Sequence, residues 1–213
     1  MQINLTGLGK RYNYEWIFRN LTYTFESGTS YAILGHNGSG KSTLLTIIAG
    51  YNLSSEGQLV YSAHGKQIPA EEAYRHLSLT APYLELVEEF TLLEMLDFHT
   101  RFKPLRQNLS TTELVDRMRL QNSKHKFVKD FSSGMKQRLK LGLAIYSDTS
   151  LLLLDEPTTN LDQEGVAWYQ EHIAQNQSGR LIIVGSNIQH EYSFCEQQLR
   201  ISDYHTTPAK PKV

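Results

Sequence analysis

One short segment of this sequence has the residue types and spacing that hold a phosphate group. Residues 35–42 read Gly-His-Asn-Gly-Ser-Gly-Lys-Ser and match the pattern G-x-x-x-x-G-K-[ST] in full. The glycines let the backbone curl so that its N–H groups point at anionic oxygens, and the helix that follows favours anions at its N-terminus. The segment 35–43 is therefore predicted to be a P-loop that binds a nucleotide through Gly35, Asn37, Gly38, Ser39, Gly40, Lys41, Ser42 and Thr43.

Two carboxylates at the end of an apolar run suggest the rest of a phosphate-transfer site. Four leucines at 151–154 precede Asp155 and Glu156. Beside a P-loop, such an aspartate holds Mg²⁺ together with the P-loop hydroxyl, here Ser42, while the P-loop lysine reaches the β- and γ-phosphates. Glu156 points in another direction and is a candidate for polarising an attacking water. The alternative is a pair of solvated acids at a strand end.

The elements that must position these residues read as an α/β fold. Short apolar runs at 31–34, 151–154 and 181–184 are typical of buried strands, and the segments 42–49 and 163–175 have helical spacing. Strands that alternate with helices predict a mostly parallel sheet covered on both faces.

The middle of the chain has a different pattern. Apolar residues recur at helical spacing over 91–120 and again over 134–146, with Pro104 and a polar stretch between the first two helices. We expect a helical subdomain at about 83–148, inserted into a core formed by 1–80 and 150–203. Residues 204–213 are expected to form a frayed tail.

Composition excludes several classes of protein. The formal net charge is -1, which gives no bulk attraction to nucleic acid. Cys195 is the only cysteine, so no internal disulfide can form. No stretch approaches the roughly 20 apolar residues of a membrane span, so the chain is expected to be soluble.

Two further motifs carry a family resemblance. Residues 131–138, Phe-Ser-Ser-Gly-Met-Lys-Gln-Arg, resemble the ABC signature motif, and Thr-Asn-Leu-Asp at 159–162 resembles the D-loop that follows it. With the P-loop and 151–157, this set resembles the nucleotide-binding subunit of ABC transporters over residues 3 to 200. The resemblance implies a P-loop NTPase core with a mostly parallel sheet, an N-terminal antiparallel β subdomain and an inserted α-helical subdomain.

The resemblance also implies a mechanism and partners. Two such domains, this chain with itself or with a related one, pair head to tail around two ATP molecules, each bound with Mg²⁺. Ser132 and the Gly134 N–H would then contact the γ-phosphate of the other subunit's ATP, and Tyr12 would stack on adenine, with Trp16 and Phe18 as alternatives. A separate membrane permease would hold the pair at the cytoplasmic, inner face of the membrane.

The sequence departs from the family at two catalytic positions. The family's Q-loop glutamine falls on Pro82, and its switch histidine falls on Asn187, with His190 as an alternative in a shifted register. Proline offers no side-chain ligand, and asparagine can donate a hydrogen bond but carries no proton to transfer. The signature motif also departs mildly from the family pattern, because Ser133 replaces its first glycine and Met135 replaces its glutamine, while Ser132 and Gly134 are retained. We therefore hypothesise that ATP binding and dimerisation are retained while hydrolysis is slow.

The region after Pro82 offers a candidate docking surface for a permease. Acidic residues at 85, 88 and 89 alternate there with Tyr83, Leu84, Leu86, Val87 and Phe90. The alternative is that these apolar residues pack inside the helical subdomain. Three other functions stay open from sequence: a soluble ABC ATPase acting on nucleic acid or ribosomes, a small-molecule P-loop kinase, and a non-hydrolysing ATP sensor.

Overall fold

A computed structural model describes residues 1–205 of the chain. Its strands, in chain order, are β1 Gln2–Tyr12, β2 Glu15–Glu26, β3 Ser30–Leu34, β4 Glu56–Ala63, β5 Lys66–Ile68, β6 Leu77–Thr80, β7 Leu151–Asp155, β8 Leu181–Gly185 and β9 Gln197–Arg200. Its α-helices are α1 Lys41–Ile48, α2 Leu92–Phe102, α3 Thr111–Arg117, α4 Ser133–Tyr146, α5 Gln163–Asn176 and α6 Gln189–Tyr192. Short 3₁₀ helices connect several of these elements.

The strands form two sheets of different kinds. The first is antiparallel, with the order β2-β1-β4-β5, and the second has the order β6-β7-β8-β3-β9 with every pair parallel. The predicted fold class, a parallel core sheet with an N-terminal antiparallel sheet and inserted helices, is confirmed. Strands β5, β6 and β9 are additions that the sequence pattern did not reveal.

Both faces of the parallel sheet are buried, because each strand sends alternate side chains to opposite sides. On β7, Leu151 and Leu153 join the core that packs against α1 and the antiparallel sheet. Leu152 and Leu154 join a second core with α4 and α5. This two-sided burial fixes the register of β7 and therefore the position of Asp155 at its carboxyl end.

The inserted segment between β6 and β7 shares the second core. The apolar side chains of α2, α3 and α4 lie in the same cluster as those of β7 and β8. Thr91 and Ser110 begin α2 and α3 in capping boxes with Glu94 and Glu113. Because its apolar side chains share this core, the helical part packs directly onto the sheet that carries Asp155.

Buried Arg180 fixes the carboxyl end of α4. Its guanidinium donates to the carbonyl oxygens of Ile145, Ser147 and Thr149, at 2.6, 3.2 and 2.8 Å. Free carbonyls at a helix C-terminus are satisfied well by such a cation. Because Arg180 lies immediately before β8, it ties the helix that starts at residue 133 to the core sheet.

The end of the described chain packs against the fold. Tyr204, which the sequence placed in a frayed tail, ends a 3₁₀ helix, Ile201–Tyr204, and contacts the first core. The remainder of that predicted tail, 206–213, lies outside the described residues. Within residues 1–205, no helix has the length and apolar character that crossing a bilayer requires.

Candidate nucleotide-binding site

The P-loop connects β3 to α1 and has the backbone that its glycines allow. Gly40 has φ 100°, and a Cβ there would lie 2.5 Å from Ile17 Cγ2, so only glycine fits this turn. A Cβ on Gly35 would lie 2.4 Å from Ser39 Oγ. Helix α1 begins at Lys41, directly after the loop, so its free N–H groups face the loop. The predicted context, strand then loop then helix, is therefore present.

Lys41 holds the loop in a closed ring. Its ammonium group donates to the carbonyl oxygens of Gly35 and His36, at 2.7 and 3.2 Å, and its side chain is buried. Ser39 Oγ is also buried, without a hydrogen-bond partner among the described residues. A buried charge and a buried hydroxyl in one loop are costly unless a polar ligand meets them, and a phosphate group has the required acceptors.

Asp155 is a buried carboxylate without a partner. It is 1% exposed, and neither side-chain oxygen has a hydrogen-bond partner within the described part of the chain. Burial raises its pKa to about 6; the nearby Ser42 hydroxyl, which lies outside hydrogen-bond geometry, and the Lys41 ammonium offset part of the rise. The Glu156 and Glu191 carboxylates add to it.

This environment fits a magnesium ion. A carboxylate that is desolvated and unpaired gains most from a cation, and Ser42 supplies a second oxygen close by. Residues 1–205 contain no cluster of three or more histidine, cysteine or acidic side chains that would build an all-protein metal cage. Mg²⁺ commonly binds through one or two protein groups, water and substrate phosphates, which is the arrangement that Ser42 and Asp155 can serve.

Glu156 has a strained backbone. Its φ is 44°, a left-handed value that costs a non-glycine residue on the order of 1 kcal/mol. The conformation is held by its N–H, which donates to the Gly185 carbonyl oxygen at 3.0 Å. Asp155 is buried while Glu156 is partly exposed. The turn thus separates the two carboxylates into different environments, as their different expected roles require.

Asn187 contacts the P-loop directly. Its Oδ1 accepts from the Gly35 N–H at 3.2 Å, and its Nδ2 donates to Asn37 Oδ1 at 3.3 Å. His190 lies elsewhere, with Nε2 3.1 Å from Thr158 Oγ1. Of the two residues considered for the switch position, the structure brings Asn187 to the P-loop.

The signature motif and the D-loop line a cavity of their own. Ser132 begins α4 and its hydroxyl accepts from the Met135 N–H at 3.3 Å, while Asp162 begins α5 in the same way. The cavity has a volume of about 280 Å³ and is lined by Arg119, Leu120, Ser132, Gly134, Met135, Arg138, Asn160, Leu161 and Asp162. In the described chain, none of these lining residues belongs to the P-loop.

The three aromatic candidates for adenine stacking have different surroundings. Phe18 is fully buried in the first core. The Trp16 ring is already in contact with the guanidinium groups of Arg11 and Arg19, which lie 5.7 and 4.4 Å from its centroid. Tyr12 is 48% exposed beside the hairpin of β1 and β2. Because Phe18 is fully buried, it cannot stack on a bound adenine. Tyr12, whose ring is accessible, remains the residue predicted to do so.

The segment around Pro82 is attached to the signature helix. Pro82 is exposed just after β6. Lys140 of α4 donates to the carbonyl oxygens of Ala81 and Leu84, both at 3.3 Å, and Lys136 forms an ion pair with Glu88. Tyr83 is about half exposed at 49%, and the covered part of its ring, with contributions from Asp155 and Tyr51, raises the pKa of its hydroxyl to about 12. This segment is thus held between α4 and the Asp155 site.

The predicted docking residues divide into two groups. Leu86 and Phe90 are partly buried and pack against the second core. Tyr83 and Val87 are exposed. Both interpretations of this region therefore apply, each to different side chains.

Comparison with known proteins shows the family to which the chain belongs. The sequence matches the model of the ABC transporter family over residues 18–159. It is 30% identical over 203 residues to the uncharacterized ABC transporter ATP-binding protein YybJ of Bacillus subtilis strain 168, covering 94% of this chain and 92% of that protein. The chain belongs to the ABC transporter family. Its relatives also include the lantibiotic transport ATP-binding protein SrtF of Streptococcus pyogenes, 30% identical over 192 residues, covering 87% of this chain and 80% of that one.

Solved structures show the same fold. A putative ABC transporter ATP-binding protein from Pyrococcus furiosus superimposes with a TM-score of 0.80 at 19% identity, over 97% of this chain and all of that one. An ATP-binding subunit of an ABC transporter gives 0.81 at 24% identity, over 96% of this chain and 86% of that one. These likenesses show the fold, and the predicted P-loop, residues 35–43, lies within the region that the family model matches.

The unpaired charge of Asp155 makes a prediction about stability. Because burial raises its pKa from 3.8 to about 6, the ionised carboxylate destabilises the nucleotide-free fold above pH 6, and the penalty vanishes below its ordinary pKa. We expect Asp155→Asn, without Mg²⁺, to raise the free energy of unfolding by about 2 kcal/mol near neutral pH and by little near pH 4. Urea unfolding at both pH values measures this. Asp203→Asn, at an exposed position, is the control. A variant no more stable than wild type at neutral pH would contradict the assignment.

Proposed function

We propose that this chain couples ATP binding and hydrolysis, in a head-to-tail dimer, to transport by a separate membrane permease. The observation that supports a dimer is that the groups expected to bind one nucleotide lie in two separate half-sites of the chain. The P-loop, Asp155 and Asn187 form one, whereas the signature motif and the D-loop line a different cavity. Two copies, or one copy with a related subunit, complete each site by placing the signature cavity of one over the P-loop of the other.

The P-loop half-site assigns roles to this chain's own groups. Lys41 and the loop N–H groups would hold the β- and γ-phosphates, and Ser42 with Asp155 would hold Mg²⁺. The bound ion would neutralise charge on the phosphate oxygens. Glu156, partly exposed on its strained turn, would orient an attacking water.

The signature half-site offers an anion site to the partner's nucleotide. Helix α4 is long enough to have a substantial dipole, and its N-terminus carries Ser132 and Gly134. Arg138, a cationic residue, lines the same cavity. A γ-phosphate brought here by a second subunit would meet hydrogen-bond donors and positive charge together.

Dimerisation is tested with a hydrolysis-impaired variant. We expect Glu156→Gln to shift from monomer to dimer in sedimentation velocity when ATP and Mg²⁺ are added, because the nucleotide bridges both half-sites. Gly134→Asp in that background should abolish the shift, since a second negative charge faces the phosphate. Ser178→Arg is the control, because it follows the far end of α5, ~20 Å of helix from the D-loop. The proposal would be contradicted if Glu156→Gln formed no dimer with ATP and Mg²⁺, or if the dimer still formed when Gly134→Asp was added.

We further propose that hydrolysis is slow. The Asn187 amide forms hydrogen bonds with two neutral groups of the P-loop. Unlike an imidazole, an amide does not take up or release a proton near neutral pH. Pro82 adds no side-chain ligand beside the carboxylates. The hydrolytic machinery thus retains Lys41, Asp155 and Glu156 but lacks two polar groups.

The turnover rate tests this second proposal. Steady-state hydrolysis by the purified chain is expected below about 1 s⁻¹, which is the lower limit of the ordinary enzyme range. Asn187→His should raise it, because imidazole can hold and donate a proton near the γ-phosphate. Asn187→Gln serves as the uncharged control. A wild-type rate at or above 1 s⁻¹ would refute slow hydrolysis while leaving ATP binding intact.

The permease is expected to dock beside the Pro82 segment. A cavity of about 370 Å³ opens there, with walls that include Tyr51, Leu84, Val87, Phe98 and Lys140. Three of its lining residues, Tyr51, Val87 and Phe98, have exposed aromatic or apolar side chains and make up its apolar rim. Lys140 connects this surface to α4, so a docked segment would be linked mechanically to the signature motif.

Docking predicts a specific loss of membrane association. The wild-type chain should co-purify with a polytopic membrane protein from its own host, and Phe98→Glu should reduce recovery at least ten-fold by placing a charge in the apolar rim. Tyr74→Glu alters an exposed aromatic residue of the 70–76 3₁₀ helix and is the control. ATP-dependent dimers that recover no membrane protein would favour an ATP sensor instead.

A further inference from the structure

Glu191 is a second buried carboxylate, and the mechanism above does not use it. It is 0% exposed, on the short helix α6. Among the described residues it forms no ion pair. Its oxygens accept instead from three donors of two other segments: the Thr158 N–H at 2.8 Å, the Thr158 hydroxyl and the Ser186 hydroxyl. A carboxylate buried this way is retained at considerable cost in desolvation.

The two segments that Glu191 joins are the ones that carry the reacting groups. Thr158 follows Glu156 by two residues and Asp155 by three, and Ser186 immediately precedes Asn187. The carbonyl of Pro157, which lies between Glu156 and Thr158, accepts a hydrogen bond from Gln137 of α4 at 2.6 Å. The signature helix is therefore attached to the same segment. One side chain therefore links the carboxylate turn to the residue that meets the P-loop.

Several further contacts keep this link rigid. The Ser186 hydroxyl, while donating to Glu191, accepts from the Ile188 N–H at 2.9 Å, and the Ser186 N–H donates to the Ile33 carbonyl at 3.2 Å. The Tyr169 hydroxyl of α5 donates to the Glu191 carbonyl at 2.7 Å. Asn187 thus extends from a segment fixed on both sides, with Glu191 as its buried anchor.

We propose that Glu191 is a positioning residue for γ-phosphate recognition, holding Asn187 against the P-loop in register with the Asp155–Glu156 turn. The proposal rests on the proposed function, because it assumes that Asn187 senses the γ-phosphate. Without the anchor, the Ser186 and Thr158 hydroxyls lose their acceptor and Asn187 is free to leave the loop. Phosphates held only by the P-loop backbone and Lys41 would be bound as before.

The test compares two nucleotides that differ in the γ-phosphate. Affinities for ADP and for a non-hydrolysable ATP analogue, both with Mg²⁺, are measured by calorimetry on the full chain. We expect Glu191→Ala to lower the preference for the analogue by about ten-fold, the effect of one lost charge-assisted contact, with ADP affinity nearly unchanged. Glu191→Gln should keep most of the preference, because its oxygen still accepts from Thr158. Glu196→Ala, at an exposed neighbour, should keep all of it.

A double-mutant cycle separates positioning from general stability. If Glu191 acts through Asn187, Glu191→Ala has little further effect on the preference in an Asn187→Ala background. Additive effects, or equal losses for both nucleotides, would overturn the positioning role. Should Glu191→Ala not fold, Ser186→Ala removes one of its contacts and must lower the preference in the same direction. A wild-type chain that binds neither nucleotide would instead overturn the proposed function itself.

Discussion

Asp155 lies at the carboxyl end of β7 with both side-chain oxygens buried and unpaired among the described residues. Burying a carboxylate in this way is unfavourable, and the raised pKa measures the cost. The surrounding fold offsets it: leucines on both faces of β7 fill two hydrophobic cores, which hold the strand in place whether or not its terminal acid is satisfied. The site thus keeps a charge that a bound cation would satisfy.

The order of the parallel strands explains why the other groups meet this charge. Strands β7, β8 and β3 are neighbours, so their carboxyl ends lie along one edge of the sheet. The P-loop follows β3, the Asp155–Glu156 turn ends β7, and Asn187 follows β8. Ligands bind at this edge in open α/β sheets because the loops converge there. Segments far apart in sequence become one site through strand order alone.

Much of this was predictable, because the relevant signals are local. The P-loop has a fixed spacing that its backbone geometry requires, and the buried strands are short apolar runs that end at polar residues. The family resemblance put Asn187 at the position that contacts the γ-phosphate. The structure places its side chain against the P-loop. Strands β6 and β9 escaped prediction because they are short and take their stability from pairing with neighbours.

The buried polar contacts were not predictable for a related reason. Glu191 stands in a polar stretch, Gln-His-Glu-Tyr, and nothing in that stretch marks its burial. Arg180 follows a glycine in what reads as a surface turn, yet it caps α4 by donating to carbonyls 35 and 33 residues earlier in the sequence. Such roles depend on which segments the fold brings together. No hydrophobic period encodes them, so they are found only from the three-dimensional contacts.

The proposed role of Asp155 is to bind a magnesium ion together with ATP, and the carboxylate is kept unpaired for that ion. The most direct measurement is thermal unfolding of the wild-type chain with saturating ATP, in Mg²⁺ and in EDTA. A ligand that binds only the folded state at 100 times its dissociation constant stabilises it by about 2.7 kcal/mol. We predict stabilisation of this order with Mg²⁺ and little with EDTA. Equal stabilisation by ATP in both conditions would contradict the claim.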